Sequence, residues 1–414
     1  MKKFLLLFLV SALLVVTAVS AEITFWKFTD TYADATIQRF VDLWNEENPD
    51  KKVVFETFPW GDYTGTKLTT AFATGEGPDV FFISPGDFLR YVNAGIALPL
   101  SEYLTADIIS DFLPETIEAV TVGGEIYALP LEMEPVALFY NKTAFEEKGI
   151  AQPQDWAELT EIAAKLTTPN RHGIIVEVVP GYYQNFTWYP FLWTAGGDVV
   201  DENWEKSTFD SEGAVAALDL WGSFVKEELA PSSLPAGAND IGIFGNGLAD
   251  MIVCGFWGVK QLQTEFPEFD FGVFPIPPYE KGGESISVYG GWKMMLNARG
   301  ENTDIAAEFA KWLVAEQIDF PLDWCTVTNS KFSPRYSVLD AGEVFYSTPP
   351  NDVFLEILKT SKSEPTFTPE MVKAVSDALQ AVMFAGMDPK AAAKGASAAI
   401  DAYLSRYTGG VPGK

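Results

Sequence analysis

Short apolar runs alternate with segments of helical periodicity over the first hundred residues. Residues 23–26, 53–58 and 79–83 are apolar runs of strand length. Apolar positions with helical spacing connect them, first over residues 37–44 and then over 68–72. The order strand, helix, strand, helix, strand with short connections predicts an α/β fold with a parallel sheet and helices on its faces.

The rest of the chain has fewer strand-like runs, and its last third is mostly helical. Residues 136–140 and 251–254 are short apolar runs that predict two more strands. Capping residues predict helix starts at Asp87, at Asp155, at Asp210 or Ser211, and at Asp388, which precedes Pro389. Glu158 is expected to be the reciprocal capping partner of Asp155. Apolar spacing predicts helices over residues 304–316, 370–384 and 389–403. The Gly- and Pro-rich residues 408–414 predict a frayed segment.

The length and the absence of a linker indicate how the domains are organised. The chain has 414 residues, enough for two domains, and 48% of them are apolar, which argues against disorder. It contains no internal repeat and no low-complexity linker. We therefore expect two lobes that exchange strands, with several crossings between them.

The N-terminal segment has the layout of a secretory signal peptide. Lys2 and Lys3 precede the apolar residues 4–16, and small residues follow up to Ala21. The apolar run is shorter than the about 20 residues of a membrane-spanning helix. The sequence therefore predicts export with cleavage after Ala21; an uncleaved membrane anchor is the alternative.

Composition excludes several classes of chemistry. The chain has 28 basic and 57 acidic residues, a formal charge of −29, which argues against a nucleic-acid partner. Its one histidine, His172, lies in a turn-like sequence, so we expect neither a zinc site nor a Ser-His-Asp triad. Phosphate-binding and dinucleotide-binding motifs are absent, so we expect no cofactor. Cys254 and Cys325 are compatible with one disulfide or with two buried thiols.

Aromatic residues are abundant, and some of them stand beside polar residues where strands run into loops. A flat ring can cover the C–H face of a sugar while neighbouring carboxylates and amides bind its hydroxyls. In open α/β sheets, ligands bind beyond the carboxyl ends of the strands. Core packing is the alternative for each ring taken singly. The five clusters of this kind are 26–30, 58–63, Trp188, 255–257 and 290–292.

Two residue pairs are further candidates. Glu132 and Glu134 lie two residues apart, so on an extended segment they face the same side. They are compatible with a solvated pair, with hydroxyl binding, or with the two carboxylates of a glycosidase. The adjacent Tyr182 and Tyr183 could bind ferric iron, face a sugar, or lie in the core.

Several segments together resemble one known family. In family order they are 67–80, 95–100, 124–130, 139–159, 196–197, 244–257 and 334–335. The chain resembles the maltose-binding-like extracellular sugar-binding proteins of ABC importers. The resemblance implies a two-lobed periplasmic-binding-protein fold of type II, with a ligand cleft between lobes joined by multiple hinge crossings. It places lobe 1 at 22–132 plus 288–331 and lobe 2 at 133–287 plus 332–414.

The resemblance also implies a set of ligand-binding residues. Trp257 matches the stacking tryptophan of the family, and Glu134 matches a position at the first lobe crossing. The full set that the resemblance implies is Phe28, Asp30, Trp60, Ser84, Asp87, Glu134, Gln184, Asn185, Trp188, Trp257, Trp292 and Arg335.

The function implied is that of a periplasmic receptor without catalytic activity. It would close on a sugar, with a di- or oligosaccharide favoured, and deliver it as a monomer to an ABC permease driven by a separate ATPase. Many relatives carry a cysteine for lipid attachment after the signal peptide, whereas Glu22 follows Ala21 here, so no lipid anchor is expected. The alternatives are an exported glycosidase that uses Glu132 and Glu134, and a ferric or polyamine receptor on the same fold.

Overall fold

The computed structural model describes residues 21–414, so the predicted leader, apart from its last residue Ala21, lies outside the described residues. Two larger sheets and a two-stranded ribbon organise the chain. The strands are β1 Ala21–Phe28, β2 Lys51–Phe58, β3 Val80–Ile83, β4 Thr121–Val122, β5 Glu125–Ile126, β6 Leu129–Pro130, β7 Glu134–Asn141, β8 Met251–Gly255, β9 Phe271–Phe274, β10 Ser287–Gly290, β11 Lys293–Leu296 and β12 Ser361–Ser363.

The first sheet confirms the predicted parallel arrangement. Its strand order is β2-β1-β3-β11-β6. β1 pairs in parallel with β2 and with β3, so that Phe25 lies opposite Phe55 on one side and Val80 on the other. β11 returns from later in the chain and runs antiparallel to β3 and β6. The carboxyl ends of β1, β2 and β3 therefore lie at one edge.

The second sheet is built around β7. Its order is β12-β10-β7-β8, and β9 also pairs with β7. β8, β9 and β10 are all antiparallel to β7, while β12 is parallel to β10. All eight residues of β7 except Tyr140 are buried, as expected for a central strand.

Helices cover both sheets. They are α1 Asp34–Glu47, α2 Trp60–Asp62, α3 Leu68–Thr74, α4 Pro85–Asn93, α5 Ala106–Ser110, α6 Pro114–Glu118, α7 Lys142–Lys148, α8 Trp156–Leu166, α9 Tyr182–Thr194, α10 Glu212–Lys226, α11 Gly242–Gly245, α12 Trp257–Glu265, α13 Thr303–Lys311, α14 Asp319–Asp323, α15 Tyr336–Ala341, α16 Glu343–Tyr346, α17 Asn351–Leu358, α18 Pro369–Met383 and α19 Pro389–Leu404. Three π-helical turns adjoin them, at Tyr63–Lys67, Trp312–Glu316 and Trp324–Thr328.

The predicted capping residues at the starts of α8, α10 and α19 are present, but Glu158 accepts from the backbone N–H of Gln154 at 2.9 Å and not from that of Asp155. Asp155, Ser211 and Asp388 each accept a hydrogen bond from the backbone N–H three residues later, at 2.8, 3.2 and 2.9 Å. α4 begins at Pro85, two residues before the predicted start, because Ser84 takes the extended N-cap conformation. The sequence did not indicate α9, which is buried continuously from Gln184 to Trp193 and so has no polar face.

Each sheet has its own core. One hydrophobic cluster surrounds the first sheet, and two others cover the two faces of the second sheet. We call the unit around the first sheet the first lobe and the unit around the second sheet the second lobe. Cys325 lies in the core of the first lobe and Cys254 in a core of the second lobe, and both are buried free thiols. Of the two alternatives for the cysteines, the structure has the two buried thiols.

One predicted lobe boundary needs correction. β10 pairs with β7 through Tyr289 and Gly290, so residues 288–290 belong to the second sheet and not to lobe 1. The chain returns to the first sheet only between β10 and β11. The other two crossings lie near 131–133 and 331–332, where Met133 and Phe332 form an isolated bridge.

The C-terminal segment is ordered against the first lobe, contrary to the prediction of a frayed end in lobe 2. Pro412 bridges Val122 in β4, and the backbone N–H of Gly413 donates to the Thr121 carbonyl at 2.8 Å. Gly410 allows this approach, since a Cβ there would lie 2.0 Å from Val122 Cγ1. Within residues 21–414, no helix is both long and apolar enough to cross a membrane.

Candidate ligand-binding cleft

A cavity of about 460 Å³ lies between the two lobes. This volume falls in the range of about 300–1,000 Å³ that small-molecule sites occupy. Residues of both sheets and of the crossings contribute to its walls. Its aromatic lining comprises Phe28, Tyr32, Trp60, Tyr182, Tyr183, Phe186, Trp257 and Trp292, and its charged lining Asp30, Glu134, Asp240, Lys260, Glu265, Lys331 and Glu364.

The first-lobe wall consists of loops at the carboxyl ends of the parallel strands. Asp30 follows β1, Trp60 follows β2 and Ser84 follows β3, and all three line the cavity. The position agrees with the general rule for ligand sites in open α/β sheets. The Phe28 ring packs against Trp292 with the ring centroids 4.4 Å apart. Sheet topology alone therefore brings these side chains together.

The aromatic side chains of the second-lobe wall come from the first two turns of α9 and from the first residue of α12. Tyr182, Tyr183 and Phe186 come from α9, and Trp257 is the first residue of α12. The Trp257 indole N–H donates to the Asn239 carbonyl at 2.9 Å, which fixes the ring over the wall. The Trp257 and Phe186 rings lie 6.4 Å apart and inclined by only 24°.

Gly255 is required by the position of Trp257. A Cβ at Gly255 would lie 1.7 Å from Cζ3 of the Trp257 ring. The indole thus lies directly over the end of β8, and any side chain there would push it away. In the Gly255-Phe256-Trp257 sequence, Gly255 therefore ends β8 and leaves room for the indole of Trp257, which lines the cavity.

Glu132 ties the three lobe crossings together. Its carboxylate accepts hydrogen bonds from the Trp292 backbone N–H at 3.1 Å, from the Trp324 indole N–H at 2.5 Å and from Lys331 Nζ at 2.7 Å. The side chain is fully buried and does not line the cavity. All its hydrogen bonds are thus made within the protein. We call the three crossings between the lobes the hinge, and Glu132 stabilises it.

Glu134 shares Lys331 with Glu132 but faces the cavity. Lys331 Nζ lies 2.8 Å from Glu134 Oε1, so the two glutamates do face the same side. Burial, with a further contribution from Glu132, raises the pKa of Glu134 to about 7. Burial alone would lower the pKa of Lys331, but the two carboxylates outweigh it and raise that pKa. Lys331 is therefore a permanent cation at the cleft floor.

Contacts between the lobes close the cavity at its rim. The Tyr32 hydroxyl, in the first lobe, donates to Glu265 Oε1 of α12 at 2.5 Å. The Gln261 amide supports the second-lobe side by donating to Asp240 at 2.6 Å and to Glu265 at 3.2 Å. The structure therefore shows the lobes in contact around the cavity.

Residues 29–318 match the bacterial extracellular solute-binding protein family. The chain belongs to this family. The predicted resemblance to sugar-binding receptors of ABC importers is thus confirmed. Relatives of this solute-binding protein are named as binding proteins, which also bears out the expectation of a protein that is not an enzyme.

Individual relatives agree with this family assignment. The maltotriose-binding protein of Pyrococcus abyssi (strain GE5 / Orsay) is 29% identical over 300 residues, which are 71% of this chain and 62% of that protein. The chain thus spans less than two thirds of that relative's length.

Solved structures confirm the two-lobed fold. An ABC transporter solute-binding protein from Thermotoga lettingae TMO, bound with alpha-D-tagatose, has a TM-score of 0.83 at 22% identity and covers 93% of this chain and 100% of its own. The GacH receptor of Streptomyces glaucescens GLA.O, solved unliganded and with acarbose, has a TM-score of 0.81 at 25% identity, with coverages of 94% and 99%.

The structure brings seven of the twelve predicted site residues of this solute-binding protein into the cleft. They are Phe28, Asp30, Trp60, Ser84, Glu134, Trp257 and Trp292. The tyrosine pair lines it as well, and burial raises the pKa of both Tyr182 and Tyr183 well above the usual value. Ferric iron binds tyrosine as the phenolate, and burial makes the loss of that proton harder.

Three of the predicted site residues lie on α9 and face the core instead. Gln184, Asn185 and Trp188 are at most 1% exposed, and each donates a side-chain N–H to a backbone carbonyl of the second lobe, at 3.1, 2.8 and 3.1 Å. The prediction placed the wrong positions of this helix in the cleft. Tyr182, Tyr183 and Phe186 occupy the cleft instead.

Asp87 and Arg335 also lie outside the cavity. Asp87 pairs with Arg90 at 3.1 Å within α4. Arg335 pairs with Asp111 at 2.8 Å and donates to the Val314 carbonyl at 2.9 Å, so it fastens the start of α15 to the first lobe. Both side chains have protein partners that keep them from a ligand.

Sequence reasoning missed Glu364, a buried cavity carboxylate. Its backbone N–H donates to the Tyr289 carbonyl at 2.8 Å, directly after β12, and its side chain faces the cleft. Burial raises the pKa of Glu364 to about 8; Lys293 acts to lower it and Glu134 to raise it further. The polar sequence Lys-Ser-Glu-Pro around it resembles a surface turn, so no local signal identified it.

Proposed function

We propose that this solute-binding protein binds a sugar, with a di- or oligosaccharide favoured, in the cleft and delivers it to the permease of an ABC importer. The observation that carries the proposal is the combination of aromatic rings and carboxylates on both walls. Rings such as Trp257 and Trp292 offer faces to the C–H surface of a sugar, and carboxylates such as Asp30 and Glu134 accept hydrogen bonds from its hydroxyls.

The extent of the aromatic lining supports a ligand of more than one sugar unit. Four of the five aromatic clusters predicted from the sequence contribute a ring to the cavity, and only that of Trp188 does not. The ligand names of relatives point the same way, with maltotriose for the Pyrococcus abyssi protein and acarbose for the GacH receptor.

Closure around the ligand follows from contacts with both lobes. A ligand that touches Trp292 on one wall and Trp257 on the other binds the closed form better than the open form. Only such a difference in affinity shifts the conformational equilibrium. The Tyr32–Glu265 contact across the rim then adds to the stability of the closed form.

A thermal-shift screen tests the binding proposal. The panel is maltose, maltotriose, acarbose, tagatose and mannitol. We expect at least one oligosaccharide to raise the melting temperature, because a ligand that binds only the native state stabilises it. The Trp257→Ala variant should lose most of that rise while remaining folded. Tyr336→Ala, which removes an exposed aromatic residue outside the cavity, is the matched control and should keep it.

The same screen separates the rival functions. If no sugar stabilises the protein, the proposal fails. If an oligosaccharide is hydrolysed and Glu134→Gln abolishes the hydrolysis, the protein is a glycosidase. The geometry disfavours that outcome because Glu132, the other carboxylate of the pair, does not line the cavity.

Delivery and export are tested in cells. Spheroplasts depleted of the protein should take up radiolabelled ligand only when the purified receptor is added back.

We also infer export with cleavage after Ala21, so that the mature protein starts at Glu22, and a monomeric state. N-terminal sequencing and sedimentation measure these two properties.

A further inference from the structure

The cavity has more negative than positive side chains. Five carboxylates line it, and only Lys260 and Lys331 oppose them. Lys331 is already engaged by Glu132 and Glu134, at 2.7 and 2.8 Å. Its charge is therefore fully used inside the protein, and the cavity is left with excess negative charge.

Most of these carboxylates have protein donors. Asp30 accepts from the Tyr32 backbone N–H at 3.0 Å, and Asp240 accepts from the Gln261 amide at 2.6 Å. Glu265 accepts from the Tyr32 hydroxyl. Glu364 is the exception, because no hydrogen bond or ion pair reaches its carboxylate from any part of residues 21–414. It is nonetheless only 7% exposed and faces the cavity.

The surroundings of Glu364 are a small aromatic recess. A Cβ at Gly290 would lie 3.0 Å from Glu364 Oε2 and 2.8 Å from Phe186 Cε2, so the carboxylate and the ring lie side by side over this glycine. Lys293 is the nearby cation, but its ammonium donates to the Gly291 carbonyl at 3.1 Å. Within the described part of the chain, Glu364 therefore lacks a donor although its side chain faces the cavity.

We propose that Glu364 recognises a protonated amine on the bound sugar, so that the ligand is an amino sugar. This inference rests on the proposed sugar-binding function and specifies its substrate class. An ammonium group supplies the hydrogen-bond donors that Glu364 lacks and a positive charge in direct contact with it, which favours the ionised carboxylate that burial otherwise disfavours. A neutral sugar hydroxyl supplies a donor but no charge, and the buried carboxylate would then have only Lys293 as a counter-charge, with which it forms no ion pair within residues 21–414.

The aromatic neighbours favour the same ligand. The face of an aromatic ring attracts a cation within about 6 Å of its centre. Phe186 lies beside Glu364, and Trp257 lies nearly parallel to Phe186. A carboxylate beside the Phe186 ring, with Trp257 further along the same wall, is a suitable environment for an ammonium ion on a sugar, because the rings also cover the C–H face.

Isothermal titration with matched ligands tests the proposal. The ligands are glucosamine, N-acetylglucosamine and glucose, together with the disaccharides of each, so that members differ in one substituent. Spermidine represents an amine without a sugar. We expect the amino member to bind at least about tenfold more tightly than its neutral partners, the effect of one hydrogen bond to a charged group.

Variants identify the residue responsible. Glu364→Gln should abolish the preference for the amine and leave the binding of neutral sugars within about threefold, since the amide keeps the shape and loses the charge. Glu364→Asp, which keeps the charge on a shorter side chain, should retain part of the preference. Glu268→Gln is the matched control, because it removes an exposed carboxylate outside the cavity, and it should not change the preference. Thermal unfolding without ligand shows whether each variant is folded.

Each outcome has a definite meaning. If no amine binds better than its neutral partner, the amino-sugar inference is overturned while sugar binding stands. If Glu364→Gln weakens neutral and amino sugars equally, Glu364 is a hydroxyl acceptor and the inference is again wrong. If spermidine binds through Glu364 and no sugar binds, the proposed function fails together with the inference.

Discussion

The two walls of the cleft are built in different ways. On the first lobe, the cavity residues follow the ends of parallel strands, as Asp30, Trp60 and Ser84 do. On the second lobe, the cavity aromatics lie near the starts of helices, as Tyr182 begins α9 and Trp257 begins α12, whereas Glu265 ends α12 and Glu364 follows β12. Strand ends are located by topology, whereas a helix start that faces a ligand depends on how the helix is packed. One cleft thus combines a wall whose residues are placed by sheet topology with a wall whose aromatic residues are placed by helix packing.

The largest expected effect is a loss of stability when the hinge between the two walls is altered. Lys331→Met leaves Glu132 buried without its cation, and such a change costs about 3–5 kcal/mol of the free energy of unfolding. Urea denaturation measures the loss. The control is Lys260→Met on the second-lobe wall, whose lysine forms no ion pair within the described chain and whose loss should cost no more than about 0.5 kcal/mol. Equal effects of the two variants would show that the hinge is not a special point.

The next prediction separates the walls directly. Gly255→Ala places a methyl group against the Trp257 ring, so the ring must move and the variant should lose about 1–3 kcal/mol together with most ligand binding. Gly61→Ala, beside Trp60 on the first-lobe wall, meets no atom within 4 Å and should change neither property. Chemical denaturation and titration measure both. A tolerant Gly255→Ala variant would mean that the second wall does not depend on this packing.

A smaller effect is expected where the walls meet. Tyr32→Phe removes the hydrogen bond to Glu265 that spans the rim, so it should weaken ligand binding about fivefold and scarcely affect unfolding. Tyr103→Phe removes a comparable bond, to Asp304 at 2.8 Å, that lies wholly within the first lobe. Titration should show no change of affinity for that control. If both variants bind equally well, the rim contact does not contribute to closure.

The smallest expected effect is on how the free energy of unfolding varies with pH. The pKa of Glu134 is about 7 in the folded protein against 4.5 without the fold, because burial disfavours its charged form. Between these values the folded state binds more protons than the unfolded state, so stability falls as the pH rises from about 4.5 to 7. Glu134→Gln should flatten this part of the curve of unfolding free energy against pH. An unchanged slope would assign the decline to other groups.

The sequence predicted the first wall better than the second. Apolar runs and helical spacing identified β1, β2 and β3 and hence the edge that carries Phe28 and Ser84. The pattern of α9 contains no polar face, so nothing in it distinguished the core-facing Trp188 from the cavity-facing Phe186. Long-range packing determines that distinction.

Charged residues of the cleft were the hardest to assign. Glu132 and Glu134 share one sequence motif, and only the crossing that brings Lys331 between them shows that one is a hinge carboxylate and the other a cavity carboxylate. Glu364 lies in a polar segment that looks exposed in sequence and is buried because β12 pairs with β10. The roles of such residues depend on tertiary contacts, and the hydrophobic periodicity of the sequence contains no information on those contacts.

The C-terminal segment has a mechanical consequence. After α19, which packs on the second lobe, residues 408–414 attach to the β4–β5 ribbon of the first lobe. The segment thus forms a fourth tether in addition to the three crossings. Opening must either pivot about an axis that leaves the contacts of Val122 with Pro412 intact or peel this segment away. The tether therefore limits both the amplitude and the direction of lobe motion.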